Sequence, residues 1–197
     1  MKKLILFSLI ACMGALTFTG CKKGTEDPFI TIKSRDGRLT HKWKLKSITG
    51  TEVDVTVFGS STTTETTTTS YDGTTLTESI VTVSGSMSNT SNSTTTGTFE
   101  ITFDKNGKQS YTVTYTSGST TTTKTAEGEW FWLNTNKNRD HISIEADGTI
   151  LMSGVYYIER LAGKEMILHN VTKSTSSTGS NSSSDSSSDL KYTFEKD

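Results

Sequence analysis

The stretch that decides the fold spans residues 99–115. Residues 99–103 read FEITF, so apolar and polar side chains alternate strictly along them. The turn sequence DKNG follows at residues 104–107, and residues 111–115 read YTVTY, which resumes the same alternation. Alternation with a period of two indicates a strand with one buried face, and a short polar loop ending in glycine joins two such strands. The sequence therefore predicts an antiparallel β-hairpin here.

The same pattern continues over most of the chain beyond Trp43. Apolar residues alternate on both sides of the Asp147-Gly148 turn, within residues 142–144 and 150–158, which predicts a second hairpin. Residues 190–194 read LKYTF and are predicted to form a last strand with one polar face. Further strands are predicted at residues 43–48, 52–58, 75–83, 126–133 and 165–171.

These predicted strands follow one another with short connections and with no sustained helical periodicity between them, which indicates an all-β fold. We predict an antiparallel up-and-down meander of eight to ten strands that closes into a barrel. Closure is favoured because it removes the unpaired edges that promote aggregation. A β-sandwich has the same strand pattern and remains the alternative architecture.

Serine and threonine are concentrated in four tracts. They occupy residues 60–70, 84–96, 116–125 and 174–188. Threonine is β-branched and favours strands, so residues 61–70 and 120–125 are predicted to extend strands beyond the barrel rim. Residues 174–188 are mostly serine and have no apolar face that could offset the loss of conformational entropy. For that tract the sequence predicts a mobile loop.

The first twenty-one residues have the features of a secretory leader. Lys2 and Lys3 precede an uncharged, mostly apolar run at residues 4–18, and Cys21 comes just after it. A helix needs about twenty residues to cross a bilayer, so this run is too short for a permanent span. Residues 18–21 resemble the lipobox of bacterial lipoproteins, which implies cleavage before Cys21 and its lipidation.

That resemblance implies a protein held at the bacterial cell envelope by acyl chains on Cys21. We expect the outer membrane, with either its periplasmic or its surface face. Several chains anchor a protein far more firmly than one, because each buried CH₂ contributes about 0.8 kcal/mol. The predicted organisation is a signal peptide at residues 1–20, a lipidated cysteine and tether at residues 21–36, and a barrel domain at residues 37–197.

Cysteine content and net charge exclude two classes of protein. Cys12 would leave with the leader and Cys21 would carry lipid, so the mature domain has no cysteine pair for a disulfide scaffold. The formal net charge of -1 gives no electrostatic basis for binding nucleic acid.

No set of reactive side chains can be assembled from the sequence. His41, His141 and His169 are far apart and lack partners at metal-ligand spacing, so no metal site is predicted. Glu127 and Glu129 lie two residues apart on a predicted strand, a spacing that would suit an inverting glycosidase, but solvated surface charges are the simpler interpretation. We therefore expect a protein that is not an enzyme and needs no cofactor.

Large apolar and aromatic residues share the predicted inner faces of the strands. In a closed sheet they either fill the barrel or line a pocket for a small apolar molecule, and both interpretations stay open. The candidate ligand-lining residues are Trp43, Phe99, Ile101, Tyr111, Tyr115, Trp130, Trp132, Met152, Tyr156, Tyr192 and Phe194.

Four segments resemble the lipocalin-like lipoproteins of Gram-negative bacteria. They are GRLT at residues 37–40, just before Trp43, then GEWFW at residues 128–132, YYIERL at residues 156–161 and YTF at residues 192–194. Lipocalins carry a Gly-x-Trp motif on the first strand, whereas this chain has it in the middle. The resemblance implies an up-and-down barrel able to hold a small apolar molecule, without identifying that molecule.

We therefore expect a membrane-anchored barrel that binds a small apolar or amphipathic ligand in its lumen. The alternative is a surface interaction protein, in which a solid barrel presents the serine- and threonine-rich tracts to a protein or glycan partner. The two hypotheses differ in whether the interior holds space for a ligand.

Overall fold

The structure is a computed structural model that describes residues 34–117, 119–133, 139–146, 152–177 and 182–197. Cys21, the predicted leader and the tether up to residue 33 lie outside the described residues, as does the Asp147-Gly148 turn. One short helix, α1 (Arg35–Leu39), precedes ten strands. The strands are β1 (Lys42–Phe58), β2 (Ser61–Tyr71), β3 (Thr75–Ser84), β4 (Met87–Phe103), β5 (Lys108–Ser117), β6 (Thr120–Trp132), β7 (His141–Ala146), β8 (Gly154–Leu161), β9 (Glu165–Ser177) and β10 (Ser182–Lys196).

The ten strands form one antiparallel sheet that closes on itself. Each strand pairs with its neighbours in sequence, and β10 pairs with β1 to close the barrel. The predicted up-and-down barrel is confirmed, and the sandwich alternative is wrong. The hairpin predicted at residues 99–115 is the pair β4 and β5, in which Ile101 lies opposite Tyr111 and Gly107 in the turn has a φ of 77°.

One hairpin is inserted into this barrel rather than running its full height. β1 pairs directly with β4 over Lys42–Lys44, and it pairs with β2 only from Ile48 onward. The pair β2 and β3 therefore begins part-way up, where the amide of Gly97 donates to the carbonyl of Thr74 at 2.6 Å. At the end next to α1 the barrel closes with eight strands, and higher up it contains all ten.

We call the part of the barrel around the buried core the base; it extends from α1 up to Gly50 on β1 and Gly97 on β4. Its inner face is almost wholly apolar, with Trp43, Phe99 and Phe194 at most 2% exposed. Burying one such side chain contributes about 1.5–3 kcal/mol, so the base supplies most of the apolar stabilisation.

Helix α1 closes the lower end of the base. Leu39 is completely buried, and its carbonyl accepts a hydrogen bond from the indole Nε1 of Trp43 at 2.8 Å. Ser34 caps the helix by accepting from the amide of Gly37 at 3.0 Å. The predicted tether runs to residue 36, and in the structure Ser34 is the N-cap of this helix and Arg35 and Asp36 begin its first turn.

Beyond the base, eight strands continue as a curved sheet that we call the wall. It comprises residues 51–58, 61–69, 77–84, 87–96, 114–117, 120–125, 171–177 and 182–188. β7 and β8 end below it, so in the described residues the outer edges of β6 and β9 pair with no other strand at this height. As far as the described residues go, the wall is therefore open on one side.

Three glycines lie where neighbouring strands approach most closely. A Cβ on Gly50 would lie 2.0 Å from the carbonyl oxygen of Asp189, and one on Gly97 would lie 2.3 Å from that of Thr114. Gly128 was singled out in the sequence only as part of a motif. A Cβ on it would likewise lie 2.0 Å from the carbonyl oxygen of Glu145. Any side chain there would push the adjacent backbone away, which explains the choice of glycine inside strands.

Two sequence predictions about the wall are wrong. Residues 174–188 were predicted as a mobile loop, but residues 182–188 pair with β1 on one side and with β9 on the other. Both backbone edges of β10 are therefore hydrogen-bonded, and this compensates for the absence of an apolar face. The segments 43–48 and 52–58 were predicted as two strands, but they form the single strand β1, because Gly50 lies inside the ladder and not in a turn.

Candidate ligand-binding site

A cavity of about 270 Å³ lies where the base meets the wall, and it opens to solvent on the inner side of the sheet. Its lining combines apolar, aromatic, acidic and amide side chains. The lining residues are Ile48, Glu52, Thr69, Leu76, Glu78, Ser153, Tyr156, Asn170, Leu190 and Tyr192.

The floor of this cavity is formed by the upper layer of the core. Tyr156 and Tyr192 are buried, and their rings meet edge to face, with centroids 5.7 Å apart and an angle of 82° between the planes. Burial raises the pKa of the Tyr192 hydroxyl to about 12, and the nearby Glu52 carboxylate adds to the shift. Burial likewise raises the pKa of Tyr156. Both hydroxyls therefore stay neutral over the physiological range.

The sides of the cavity are polar and carry negative charge. Glu52 projects from β1 and Glu78 from β3, and the hydroxyl of Ser93 donates to Glu78 at 3.3 Å. Asn170 on β9 donates from its amide nitrogen to the carbonyl of Val155 at 2.8 Å, close to the first residue of β8. The cavity thus has an apolar bottom and an acidic upper side, which is an amphipathic lining.

Ser188 adds an unused hydrogen-bonding group beside the cavity. It lies opposite Glu52 in the β1–β10 ladder, on the face that also carries Leu190 and Tyr192. The residue is 9% exposed, and its hydroxyl oxygen is buried without a hydrogen-bond partner among the described residues. Ser188 lies behind the residues that line the cavity, so a ligand would reach this hydroxyl by displacing a lining side chain. It would then recover the roughly 1–3 kcal/mol that an unpaired buried hydroxyl costs.

A narrow apolar crevice of about 50 Å³ adjoins the cavity and shares Ile48 and Leu76 with it. Phe99 and Tyr115 contribute to its lining, and Tyr71 closes one side by donating from its hydroxyl to the carbonyl of Gly97 at 3.0 Å. The crevice is large enough for one or two methyl groups, so it extends the apolar part of the site.

The structure divides the predicted ligand-lining residues into three groups. Tyr156 and Tyr192 line the cavity, and Phe99 and Tyr115 line the crevice. Trp130 and Trp132 lie at the lower end of the barrel, beside a surface hollow that also contains Asp36 and Arg139. The remaining five residues are packed inside the core: Trp43, Ile101, Tyr111, Met152 and Phe194. Most of the lumen is therefore filled by its own side chains, and the open space lies at its mouth.

Trp132 in the lower hollow is held in place by charged groups. Its indole Nε1 donates to Asp36 Oδ1 at 2.7 Å, and Asp36 also pairs with the guanidinium of Arg139. These contacts fasten α1 to the end of β6, so the hollow has a structural role in closing the base.

The acidic side of the cavity was not predicted from the sequence. Trp43 and Leu45 point inward, but a β-bulge between Leu45 and Ser47 shifts the register, so that Ile48 and Glu52 point inward instead of the odd-numbered residues. Alternation counted without the bulge places Val53 inside and Glu52 outside. A bulge leaves no clear signal in a single sequence, so alternation alone does not assign Glu52 to the inner face.

Other groups considered for chemistry lie on the outer surface. Glu127 and Glu129 are exposed beside a polar hollow of about 690 Å³, where Glu129 forms an ion pair with Lys108. His169 is held between Glu159 at 3.0 Å and Asp189 at 2.7 Å. Within the described part of the chain, no three His, Cys, Asp or Glu side chains are arranged to hold a metal ion.

Comparison of the chain with protein-family models, curated proteins and solved structures found no match. Among the described residues, no helix is both long and apolar enough to span a membrane.

Proposed function

We propose that this protein binds a small amphipathic molecule in the cavity at the mouth of its barrel. The observation that supports this proposal is the amphipathic lining, with a floor of Tyr156, Tyr192 and Leu190 below the carboxylates of Glu52 and Glu78. Buried aromatic floors with a few polar groups above them are typical of small-molecule sites. The protein acts as a binding protein and not as an enzyme, and it needs no cofactor.

The size of the cavity limits the ligand. Small-molecule pockets usually measure about 300–1,000 Å³, and this cavity of about 270 Å³ lies just below that range. Among the residues that the structure describes, the packed core below the cavity leaves no channel for a long acyl chain, and α1 closes the other end. The ligand therefore enters from the side of the wall and has the size of a single substituted ring.

We further propose that acyl chains on Cys21 anchor the protein at the bacterial outer membrane, as expected for a lipocalin-like lipoprotein. Ser34 lies at the lower end of the base, thirteen residues after Cys21 in the sequence. The anchor would hold the base toward the lipid, and the cavity would then open away from the membrane. A Cys21→Ser variant is expected to be released into the soluble fraction, and its retention with membranes would contradict the anchor.

The binding proposal is tested by blocking the cavity. Thr69 lines it, and Thr68 is the next residue on the same strand but is exposed on the outer face. In Thr69→Trp the added indole fills the space, so binding of an uncharged naphthalene dye, followed by its fluorescence, is expected to weaken at least about tenfold. The matched control Thr68→Trp is expected to bind like the unchanged protein.

Native mass spectrometry of the purified full-length protein gives an independent check. A small molecule retained by the unchanged protein and lost from Thr69→Trp would support the site. Equal dye binding by both tryptophan variants would place the dye elsewhere and contradict the proposal.

The surface interaction hypothesis has one observation in its favour. Phe58 and Met87 at the far end of the wall are 76% and 73% exposed, which is unusual for large apolar side chains at hairpin tips. If the wall meets a protein or glycan partner there, Phe58→Ser combined with Met87→Ser should remove cross-linking to that partner in intact cells. Unchanged cross-linking would rule out contact through these tips.

A further inference from the structure

We infer that the cavity selects an organic cation: a ligand with an ammonium group attached to a small apolar body. This inference rests on the proposed function and specifies the charge of its ligand. Three separate features of the site support it: the sign of the charges on the inner face, the geometry of the two tyrosine rings, and the buried hydroxyl of Ser188.

The inner face of the wall is negatively charged. Glu52 and Glu78 line the cavity, and the alternation of the strands places Asp54 and Glu65 on the same face farther up. Among the described residues of the wall, Lys124 is the one basic residue on this face. It lies on β6, three strands from Glu78, with its ammonium over the Tyr115 ring at 5.6 Å. A cation entering the cavity therefore meets carboxylates that no lysine or arginine in the lining neutralises.

The aromatic floor also suits a cation. Tyr156 and Tyr192 line the floor of the cavity, and their rings meet edge to face. Ring faces carry partial negative charge, so a ring face turned toward the cavity would attract an ammonium group with about 0.5–2 kcal/mol. The same rings would give no such gain to a carboxylate, and the carboxylates above them would repel it.

Ser188 gives the site a further acceptor. Its hydroxyl is buried beside Glu52, has no partner among the described residues, and has lone pairs that could accept an N–H from the ligand. Because this oxygen is already removed from water, bonding it requires little further desolvation. A hydroxyl both donates and accepts, so Ser188 adds a polar partner for an ammonium N–H, while the sign of the ligand's charge follows from Glu52 and Glu78.

The apolar residues exclude a simple inorganic cation. Ile48, Leu76 and Leu190 form part of the lining, and a hydrated metal ion would gain nothing from contact with them. The adjoining apolar crevice offers room for the methyl groups of an alkyl chain or ring substituent. A small aromatic or branched amine matches both halves of the cavity.

The inference is tested with three probes of one shape and different charge, using calorimetry on the full-length protein. The probes are 2-phenylpropan-2-ammonium, which carries N–H donors, its uncharged isostere tert-butylbenzene, and benzenesulfonate as the anion. The ammonium probe is expected to bind about tenfold more tightly than tert-butylbenzene, because one carboxylate at close range in a solvent-open cavity contributes about that factor. Benzenesulfonate is expected to bind most weakly.

Glu52→Gln and Glu78→Gln change charge while keeping shape, so they separate electrostatics from packing. Each is expected to lower the affinity for the ammonium probe about five- to tenfold and to leave that for tert-butylbenzene unchanged. Glu127→Gln, on the outer face, is the matched control for net charge and is expected to change neither. Far-ultraviolet circular dichroism confirms that each variant is folded.

The outcomes separate this inference from the function on which it rests. If tert-butylbenzene binds as well as the ammonium probe and the Gln variants change nothing, the cavity binds ligands without selecting a cation, and the inference is wrong. If no probe binds at millimolar concentration, the binding function and the inference both fail. Tighter binding of the cation that disappears in Glu52→Gln would support both.

Discussion

The base and the wall are built on the same strands, yet only one of them has an apolar interior. On β4, residues 99–103 place three fully buried side chains in the core, while residues 87–96 of the same strand are exposed serine, threonine, asparagine and methionine. Continuous backbone pairing thus extends a strand well beyond the region where side chains pack. This difference indicates that the packed side chains of the base stabilise the fold, and that the wall stays ordered because its strands continue from the base.

Inside the wall the usual distribution of side chains is reversed. Val53 and Val55 on β1 lie on the outer face, whereas Glu52 and Asp54 lie on the inner one, because the bulge below them shifts the alternation by one residue. In the base, the inner face carries the apolar residues. The candidate site is located where these two distributions meet, which is why it combines an aromatic floor with acidic sides.

The largest effect on stability is expected when a large side chain is removed from the core of the base. Phe194 is completely buried and packs 6.4 Å from Phe99, measured between ring centroids. Phe194→Ala should lower the free energy of unfolding by about 3–5 kcal/mol, because apolar contacts are lost and the space is not refilled. Denaturant titration followed by tryptophan fluorescence measures this change. A loss below about 1 kcal/mol would show that the base is not the main source of stability.

A smaller effect is expected from titration at the boundary between base and wall. Burial raises the pKa of Tyr192 to about 12, while an unfolded chain has a tyrosine pKa near 10. The tyrosine of the unfolded state therefore loses its proton first. The contribution of Tyr192 to the free energy of unfolding is intact below pH 10 and falls by about 1.4 kcal/mol per pH unit between pH 10 and 12. Melting temperatures measured across this range should fall less steeply for Tyr192→Phe. Identical slopes for the unchanged protein and Tyr192→Phe would contradict a raised pKa at Tyr192.

The smallest effect is expected at the far end of the wall. Phe58 is 76% exposed, so Phe58→Ser removes little buried surface and should change the free energy of unfolding by less than about 0.5 kcal/mol. Its comparison with Phe194→Ala, measured by the same titration, tests the separate roles of the two regions. A loss above about 1 kcal/mol would mean that the wall contributes to stability in its own right.

The sequence predicted the features that depend on local alternation. The hairpin at residues 99–115 was predicted because apolar residues recur at every second position on both strands. A second hairpin was predicted between residues 142–144 and 150–158 for the same reason, and in the structure residues 142–144 pair with residues 154–156. Barrel closure followed from the number of strands and from the cost of unpaired edges. These predictions need no knowledge of which residues are neighbours in space.

The predictions that failed depend on contacts between distant segments. The serine-rich part of β10 is a strand because residues 52–58 and 172–177 bind both of its edges, and composition alone carries no record of those partners. Gly50 resembles a turn residue in sequence, but the carbonyl of Asp189 determines its role. The acidic side of the site was missed because the bulge after Leu45 shifts the alternation.

The hairpin of β2 and β3 increases the width of the barrel at the height where it is inserted. Because adjacent strands stand about 4.8 Å apart, two extra strands widen the perimeter by about 10 Å and the bore by about 3 Å. The pairing of Lys42–Lys44 with β4 keeps the lower end of the barrel at eight strands, so the described barrel is widest at the level of Ile48, where all ten strands overlap. Lengthening or shortening this one hairpin would therefore change the width of the barrel near the cavity and leave the packed base unchanged.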